Sequence, residues 1–151
     1  MKVLFLDFDG VLNGDAYVRR QGRCGVLLDP EKLALLKRII DATDTKIVLS
    51  TSWREHWSPM REECDEIGEE INRIFRRHGM EIYDKTPNKT MGREKNMRRW
   101  LEDHPRVTHY AALDDQFLEA DFLKDHFVLT SNLRGGLDEE DVQKAISILG
   151  G

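Results

Sequence analysis

The stretch that decides the fold is MKVLFLDFDGVLNGD, residues 1–15, because an apolar segment runs directly into two carboxylates. Residues 2–6 predict a fully buried strand, and Asp7, Asp9 and Gly10 follow it at once. Burying one unpaired charge is costly, and burying two like charges costs more. We therefore expect another part of the chain to balance these acids at the end of the strand.

The rest of the chain alternates between strand and helix patterns. Short apolar segments predict four further strands, at residues 46–49, 81–83, 107–113 and 127–129. Helical patterns separate or follow them, over about residues 30–42, 58–78, 93–103 and 138–149. This alternation predicts an α/β fold: a three-layer, Rossmann-like parallel sheet with helices on both faces.

The segments between the motifs lead to three further expectations about domain organisation. No linker or repeat divides the sequence, so we expect one domain over residues 1–151. Residues 14–28 contain three glycines around short apolar and basic segments, which predicts a hairpin-like flap. The helix predicted over about residues 58–78 could lean over the site as a partial lid.

Composition excludes several classes of protein. The chain carries 23 basic and 28 acidic residues, a formal charge of −5, so no general attraction to nucleic acid or acidic membranes is expected. The apolar runs are too short to span a membrane, and the N-terminus lacks the pattern of a signal peptide. Cys24 and Cys64 have no metal-binding spacing. A cytoplasmic protein with reduced thiols is the expectation.

Polar side chains follow three of the predicted strands. They are Asp7 and Asp9, then residues 50–52 (Ser-Thr-Ser), then Asp114 and Asp115. Ligands of parallel sheets bind beyond the carboxyl ends of the strands, so these groups are expected to share one site. Mg²⁺ prefers oxygen ligands and is often bound by one or two carboxylates and a substrate phosphate. The pattern predicts a site for Mg²⁺ and phosphate, with hydroxyls and a Lys or Arg bound to the phosphate.

These motifs resemble those of a known family. DFDGV, LSTS, GREK and ALDD occur in the order of the four motifs of haloacid dehalogenase-like (HAD) phosphatases, over residues 3–115. A closer resemblance covers most of the chain: IVLSTSWRE, GREKNMRRWLEDHP and LTSNLRGGLDEEDVQKAISIL are similar to small HAD domains associated with RNA repair proteins. The resemblance implies a HAD-like core, and the short segments between motifs imply little or no cap domain.

The resemblance also implies roles for the acids. Asp7 would attack phosphorus and form an aspartyl-phosphate, and Asp9 would protonate the leaving alcohol and later activate water. Asp7, Asp9, Asp114 and Asp115 would hold Mg²⁺, Asp115 fitting the metal position best. Gly10 would allow a tight turn after the first strand, which leaves the Asp9 carbonyl free to face the metal, and would lie against the substrate.

For the second and third motifs, the resemblance implies a favoured residue and leaves neighbouring residues as alternatives. Thr51 is the favoured hydroxyl of the second motif, and Ser50 or Ser52 could replace it. Arg93 is the favoured base of the third motif, with Lys89 and Lys95 as rivals. Ser52, Arg54 and Lys95 would contact the substrate.

The resemblance therefore implies a Mg²⁺-dependent phosphatase that acts through an aspartyl-phosphate. An open site without a cap suits a phosphorylated small molecule, a nucleotide or a nucleic-acid end as the substrate. No membrane association is expected. Partner proteins are not indicated. Two alternatives stay open at this point: a phosphotransferase or mutase on the same core, and a non-catalytic, receiver-like domain that binds Mg²⁺.

Overall fold

A computed structural model describes residues 1–22, 24–87 and 91–150, and its centre is a five-stranded, wholly parallel sheet. The strand order is β3-β2-β1-β4-β5. The strands are β1 (Lys2–Leu6), β2 (Lys46–Leu49), β3 (Ile82–Lys85), β4 (His109–Asp114) and β5 (Phe127–Leu129). The first strand, which precedes the acids, is thus the middle strand.

Five α-helices accompany the sheet. They are α1 (Asp15–Arg20), α2 (Pro30–Thr43), α3 (Glu66–Arg77), α4 (Arg93–Asp103) and α5 (Glu139–Gly150). Short 3₁₀ helices cover Ser52–His56, Arg61–Glu63 and Asp121–Leu123. None of the helices in the described part of the chain has the length and apolarity needed to cross a membrane.

Helices cover both faces of the sheet, which confirms the three-layer α/β fold. The side chains of β1 alternate: Leu4 and Leu6 belong to a main core shared with α2, α3 and α5. Val3 and Phe5 belong to a second core, where Met97 and Trp100 of α4 pack. Phe5 meets the Trp100 ring edge to face at 5.8 Å. This contact fixes α4, and with it the residues at its N-terminus, against the middle strand.

Two helix starts follow from local capping as the sequence predicts. The Asp29 side chain accepts a hydrogen bond from the backbone N–H of Glu31, and Pro30 occupies the first helical position of α2. At α5, Asp138 accepts from the backbone N–H of Asp141, whose side chain accepts from the backbone N–H of Asp138. This reciprocal pair satisfies two donors at the start of the helix.

The predicted hairpin in residues 14–28 is wrong, because a short helix occupies its first part. Helix α1 begins after Gly14, and the backbone N–H of Asp15 donates to Asn132 Oδ1 at 3.0 Å. An acid in the first turn and Arg19 and Arg20 in the last turn suit the helix dipole. Residues 26–28 form neither helix nor strand, and Val26 and Leu28 belong to the main core.

The helix predicted over about residues 58–78 begins later, at Glu66. Asp65 accepts hydrogen bonds from the backbone N–H groups of Ile67 and Gly68 and so caps α3. The preceding residues are held in a turn, where the Cys64 thiol accepts from the backbone N–H of Ser58 at 3.3 Å. Ile71 of α3 is buried in the main core. A partial-lid role for this helix stays a prediction.

Candidate active site

The order and register of the strands bring the predicted polar groups together. Leu6 of β1 pairs with Leu49 of β2 on one side and Leu113 of β4 on the other. The ladders continue one residue further, since the backbone N–H of Asp7 donates to the carbonyl of Leu113 and that of Ser50 to the carbonyl of Leu6. The next residue of each strand, Asp7, Ser50 and Asp114, therefore lies at one edge of the sheet. From β1 the chain builds the sheet first to one side, through β2 and β3, and then to the other, through β4 and β5. Ligands of parallel sheets usually bind at the position where the direction changes in this way.

Three carboxylates form a cluster at this edge. Oxygen atoms of Asp7, Asp114 and Asp115 all lie within 4.8 Å of one another. Asp7 is 3% exposed and Asp114 is fully buried, while Asp115 is partly exposed. The structure thus brings together three of the four predicted metal ligands.

Arg93, the first residue of α4, is the cation that faces this cluster. Its Nη1 donates to Asp7 Oδ2 at 3.1 Å and to Asp114 Oδ1 and Oδ2 at 2.9 and 2.7 Å. Burial opposes its positive charge, but Asp7 and Asp114 raise the pKa of the guanidinium overall. Arg93 therefore takes the place predicted for the third motif. Lys95 is exposed, and Lys89 lies outside the described residues.

One guanidinium does not neutralise three carboxylates. Burial raises the pKa of Asp7 to about 7, and the charge of Asp114 adds to the shift while Arg93 opposes it. Burial and Asp114 also raise the pKa of Asp115. If all three acids are ionised, the cluster with Arg93 carries a formal charge of −2. Clustered carboxylate oxygens with this residual charge are a donor set that fits a hard divalent cation such as Mg²⁺.

The Asp9 carboxylate lies outside this cluster, so the four predicted carboxylates do not all converge. A metal contact through the Asp9 backbone carbonyl stays a prediction. The Oδ1 of Asp9 accepts from Asn13 Nδ2 and its Oδ2 from Trp53 Nε1, both at 3.2 Å. The side chain is exposed. Asp9 lies with Gly10 in the turn that follows β1, and its side chain is directed toward Asn13 and Trp53. A fixed, solvent-accessible carboxylate is suited to proton transfer rather than to metal binding.

Gly10 makes room for Asp115. It has a φ of +82°, and a Cβ built on it would lie 2.2 Å from Asp115 Oδ2. Its carbonyl accepts a hydrogen bond from Thr130 Oγ1 at 2.7 Å, and its N–H donates to Asn13 Oδ1. The turn is thus fixed from both sides. A direct contact between Gly10 and the substrate stays a prediction.

Ser50 and Thr51, two candidates for the hydroxyl of the second motif, have different surroundings, and the choice between them stays a prediction. Ser50 adjoins Asp7 in the register of the sheet and keeps a small exposed surface of 2%. Thr51 is fully buried, and its Oγ1 accepts from the backbone N–H of Trp53 as the cap of the 3₁₀ helix. Ser52 is exposed on that helix. Thr51 is therefore occupied by a local structural role.

Arg54 contributes a second positive charge beside the site. Its Nη1 and Nη2 donate to the carbonyls of Thr51 and Pro87, and its buried Nε has no hydrogen-bond partner among the described residues. Burial lowers the pKa of this guanidinium, and the charge of Arg93 adds to the effect. Two guanidinium groups close enough to repel each other favour an anion between or beside them.

Several supporting residues were missed by the sequence prediction. Asn13 orients Asp9, Thr130 holds the Gly10 carbonyl, and Lys85 donates to the carbonyls of Arg54 and Trp57. Thr130 directly follows β5, so the rule that polar residues after strands share one edge could have found it. For Lys85 the sequence has no comparable signal, because its partners are backbone carbonyls far away in the chain. Asn13 is only four residues from Asp9, so two polar side chains close together in one turn were the signal that could have found it.

Comparison with known proteins gave one match. A family model described as the HAD domain in Swiss Army Knife RNA repair proteins matches residues 3–142. Comparisons with curated proteins and with solved structures gave no significant match. The matched range covers the five strands, apart from the first residue of β1, and every residue of the acid cluster.

The raised pKa of Asp7 predicts how stability depends on pH in metal-free buffer. The folded protein keeps this proton up to about pH 7, whereas the unfolded chain releases it near 3.8. The free energy of unfolding should therefore fall with rising pH between about 4 and 7, relative to Asp7→Asn, by up to about 1.4 kcal/mol per pH unit. Above pH 7 the difference should level off. Urea denaturation of both proteins in EDTA measures it.

Added Mg²⁺ serves as the second arm of this experiment. At pH 8 it should raise the free energy of unfolding of the natural chain more than that of Asp7→Asn, because only the natural chain offers the charged Asp7 oxygen. If the difference in unfolding free energy between the two proteins did not change with pH, the raised pKa of Asp7 would be contradicted.

Proposed function

Because the chain belongs to the family of HAD domains found in Swiss Army Knife RNA repair proteins, we propose that it is a Mg²⁺-dependent phosphatase. The substrate would be a phosphate monoester on a nucleotide or a nucleic-acid end. The observation that carries this proposal is the cluster of Asp7, Asp114 and Asp115 facing Arg93, with Asp9 held next to it.

Asp7 is the proposed nucleophile. A carboxylate oxygen of Asp7 attacks phosphorus, the bond from phosphorus to the leaving oxygen breaks, and an aspartyl-phosphate forms. Its Oδ1 accepts from the backbone N–H of Phe8 at 2.9 Å and its Oδ2 from Arg93, so the group is held in one orientation. A bound Mg²⁺ would lower the charge repulsion between the incoming phosphate and these acids. Asp7, Asp114 and Asp115 are the residues that would hold it.

Asp9 is the proposed acid and base. It donates a proton to the leaving alkoxide in the first step and accepts a proton from water in the second. That water attacks phosphorus, the bond to Asp7 breaks, and inorganic phosphate leaves. Hydrogen bonds from Asn13 and Trp53 fix the Asp9 carboxylate next to the cluster without placing it among the buried acids.

Ser50, Arg93 and Arg54 are the proposed phosphate contacts. The Ser50 hydroxyl lies at the end of the strand next to Asp7 and can donate to a phosphate oxygen. Arg93 already contacts the nucleophile, so it can also stabilise the charge on the transferring group. Arg54 adds positive charge beside it. Thr51, Ser52 and Lys95 are weaker candidates, because the first is buried and the others are exposed.

The first test is the substitution Asp7→Asn. Removing the nucleophile should lower turnover of p-nitrophenyl phosphate with Mg²⁺ by roughly a thousandfold or more. Steady-state kinetics of the purified chain measure this, and circular dichroism checks the fold.

Asp41→Asn is the matched control, because Asp41 is exposed on α2 and pairs with Lys37 away from the cluster. It should keep full activity. An Asp7→Asn protein that turns over at the natural rate would refute the proposed nucleophile.

A second test separates Ser50 from Thr51. Ser50→Ala should lower kcat/KM by roughly tenfold to a hundredfold with little loss of stability, since it removes a donor to the phosphate. Thr51→Val should lower the melting temperature, because it removes a cap from the 3₁₀ helix, and should retain more activity than Ser50→Ala. Kinetics and thermal unfolding of both variants measure the two effects. The reverse ranking in activity would favour the sequence-based choice of Thr51.

A further inference from the structure

A cavity of about 240 Å³ lies beside Asp9, and its described lining includes none of the three acids of the cluster. Its lining includes Asp9 and Trp53 and the apolar side chains Val18, Val26, Leu27 and Leu28. Val18 belongs to α1, and the other three are residues 26–28, which follow it along the chain. The segment predicted as a flap thus forms one wall, and the 3₁₀ helix after β2 forms the other.

We propose that this cavity binds the base of a nucleoside whose hydroxyl group carries the phosphate to be removed. The proposal rests on the function proposed above and specifies its substrate: a phosphorylated nucleoside whose base, as part of the leaving group, lies between α1 and Trp53.

The position of the cavity follows from the role of Asp9. Asp9 protonates the leaving oxygen, so the carbon atoms attached to that oxygen must lie on the side of Asp9 that faces away from Asp7. The two groups that donate to the Asp9 carboxylate, Asn13 and Trp53, are both part of the cavity wall. The leaving group therefore has direct access to the cavity from the site of proton transfer.

The chemistry of the wall selects an uncharged ring. The described residues of the lining include no Lys or Arg, so these residues offer no counter-charge for a second phosphate. Aliphatic side chains and one indole suit a flat aromatic group. The volume is below the usual range for drug-sized ligands, which matches one ring system better than a whole nucleotide.

Trp53 is prepared for stacking. Its indole N–H is bound to Asp9 at 3.2 Å, and its backbone N–H is bound to Thr51 at 3.3 Å. A ring that is already held loses little conformational freedom when a base stacks on it. The hydrogen bond from the Trp53 indole also holds Asp9, which is the proposed proton donor to the leaving group. Trp53 and Asp9 would therefore be held together during base binding and proton transfer.

The wall has little capacity to distinguish one base from another. Asn13 is the amide side chain in the described lining, and its groups are committed: Nδ2 donates to Asp9 and to the Leu27 carbonyl, and Oδ1 accepts from Gly10. Stacking without hydrogen-bond readout tolerates all four bases. We therefore expect a requirement for a base and only a weak preference among bases.

The test compares substrates with and without a base at the phosphorylated end. Short oligonucleotides carry a terminal 3′- or 5′-phosphate on either a normal nucleoside or an abasic tetrahydrofuran analogue. With at least one of the two ends, the natural chain should show a kcat/KM about tenfold or more higher for the base-bearing substrate. Mononucleotides assayed alongside distinguish a free nucleotide from a nucleic-acid end as the source of the base.

Val18→Trp and Ala16→Trp are the matched variants. Both add an indole to α1, but only Val18 lines the cavity, and Ala16 is exposed. Val18→Trp should abolish the preference for the base-bearing substrate, and Ala16→Trp should keep it. If a thermal unfolding experiment shows that Val18→Trp is not folded, Leu27→Trp is used instead, because Leu27 lines the same cavity.

The outcomes separate this proposal from the function on which it rests. Equal rates on base-bearing and abasic ends, or a preference that survives filling of the cavity, would overturn it while leaving the phosphatase intact. If no phosphate ester is hydrolysed at all, the proposed function fails, and adenosine binding followed by tryptophan fluorescence then tests the cavity alone. Binding that the natural chain shows and Val18→Trp lacks would support the cavity, and no binding would overturn it.

Discussion

The burial of like charges at one edge of the sheet is the constraint on which the rest of the structure depends. Asp7 and Asp114 end neighbouring strands at the same register and are almost inaccessible to water. Unpaired, these carboxylates would be strongly destabilising. Arg93 bonds to both, and α4 therefore has to begin where its first side chain reaches β1 and β4. The packing of Trp100 on Phe5 holds the helix in that position.

The turn after β1 is shaped by the same constraint. Asp115 can join the cluster only because Gly10 has no side chain. The turn is then supported by the loop after β5: Thr130 holds the Gly10 carbonyl, and a Cβ on Gly136 would lie 2.6 Å from the Val11 carbonyl oxygen. This close packing leaves the backbone little freedom. Asp9, which precedes Gly10 in this turn, consequently has a fixed position in the wall of the cavity beside α1.

Much of the fold could be predicted from the sequence, because its signals are strong and local. The strands are short apolar runs, and α2 and α5 begin at Asp residues that cap them as predicted. The acids of the site were found because parallel strands place their carboxyl ends together. The family match confirms the HAD-like interpretation of the motifs, which depends on order along the chain rather than on any one residue.

The errors have physical causes. Residues 14–28 and 58–65 contain no long periodic pattern, and their conformation is set by contacts such as Asn132 with Asp15 and Cys64 with Ser58. The choice between Ser50 and Thr51 stays a prediction, because the two residues are alike in chemistry; the register of β2 places Ser50 next to Asp7. A shift of one residue turns a side chain to the other face of the sheet. The position of Asp9 was missed because Trp53, its partner, is 44 residues away.

The most direct measurement of the central claim is the position of a divalent cation in crystals of this chain grown with Mn²⁺ in place of Mg²⁺. Our account predicts one anomalous-scattering peak at coordination distance, about 2 Å, from carboxylate oxygens of both Asp7 and Asp115. Crystals of Asp115→Asn should show a weaker peak or none at that position. If Mn²⁺ bound elsewhere, or Asp7 and Asp115 did not contact a common ion, the proposed metal centre at the ends of β1 and β4 would be contradicted.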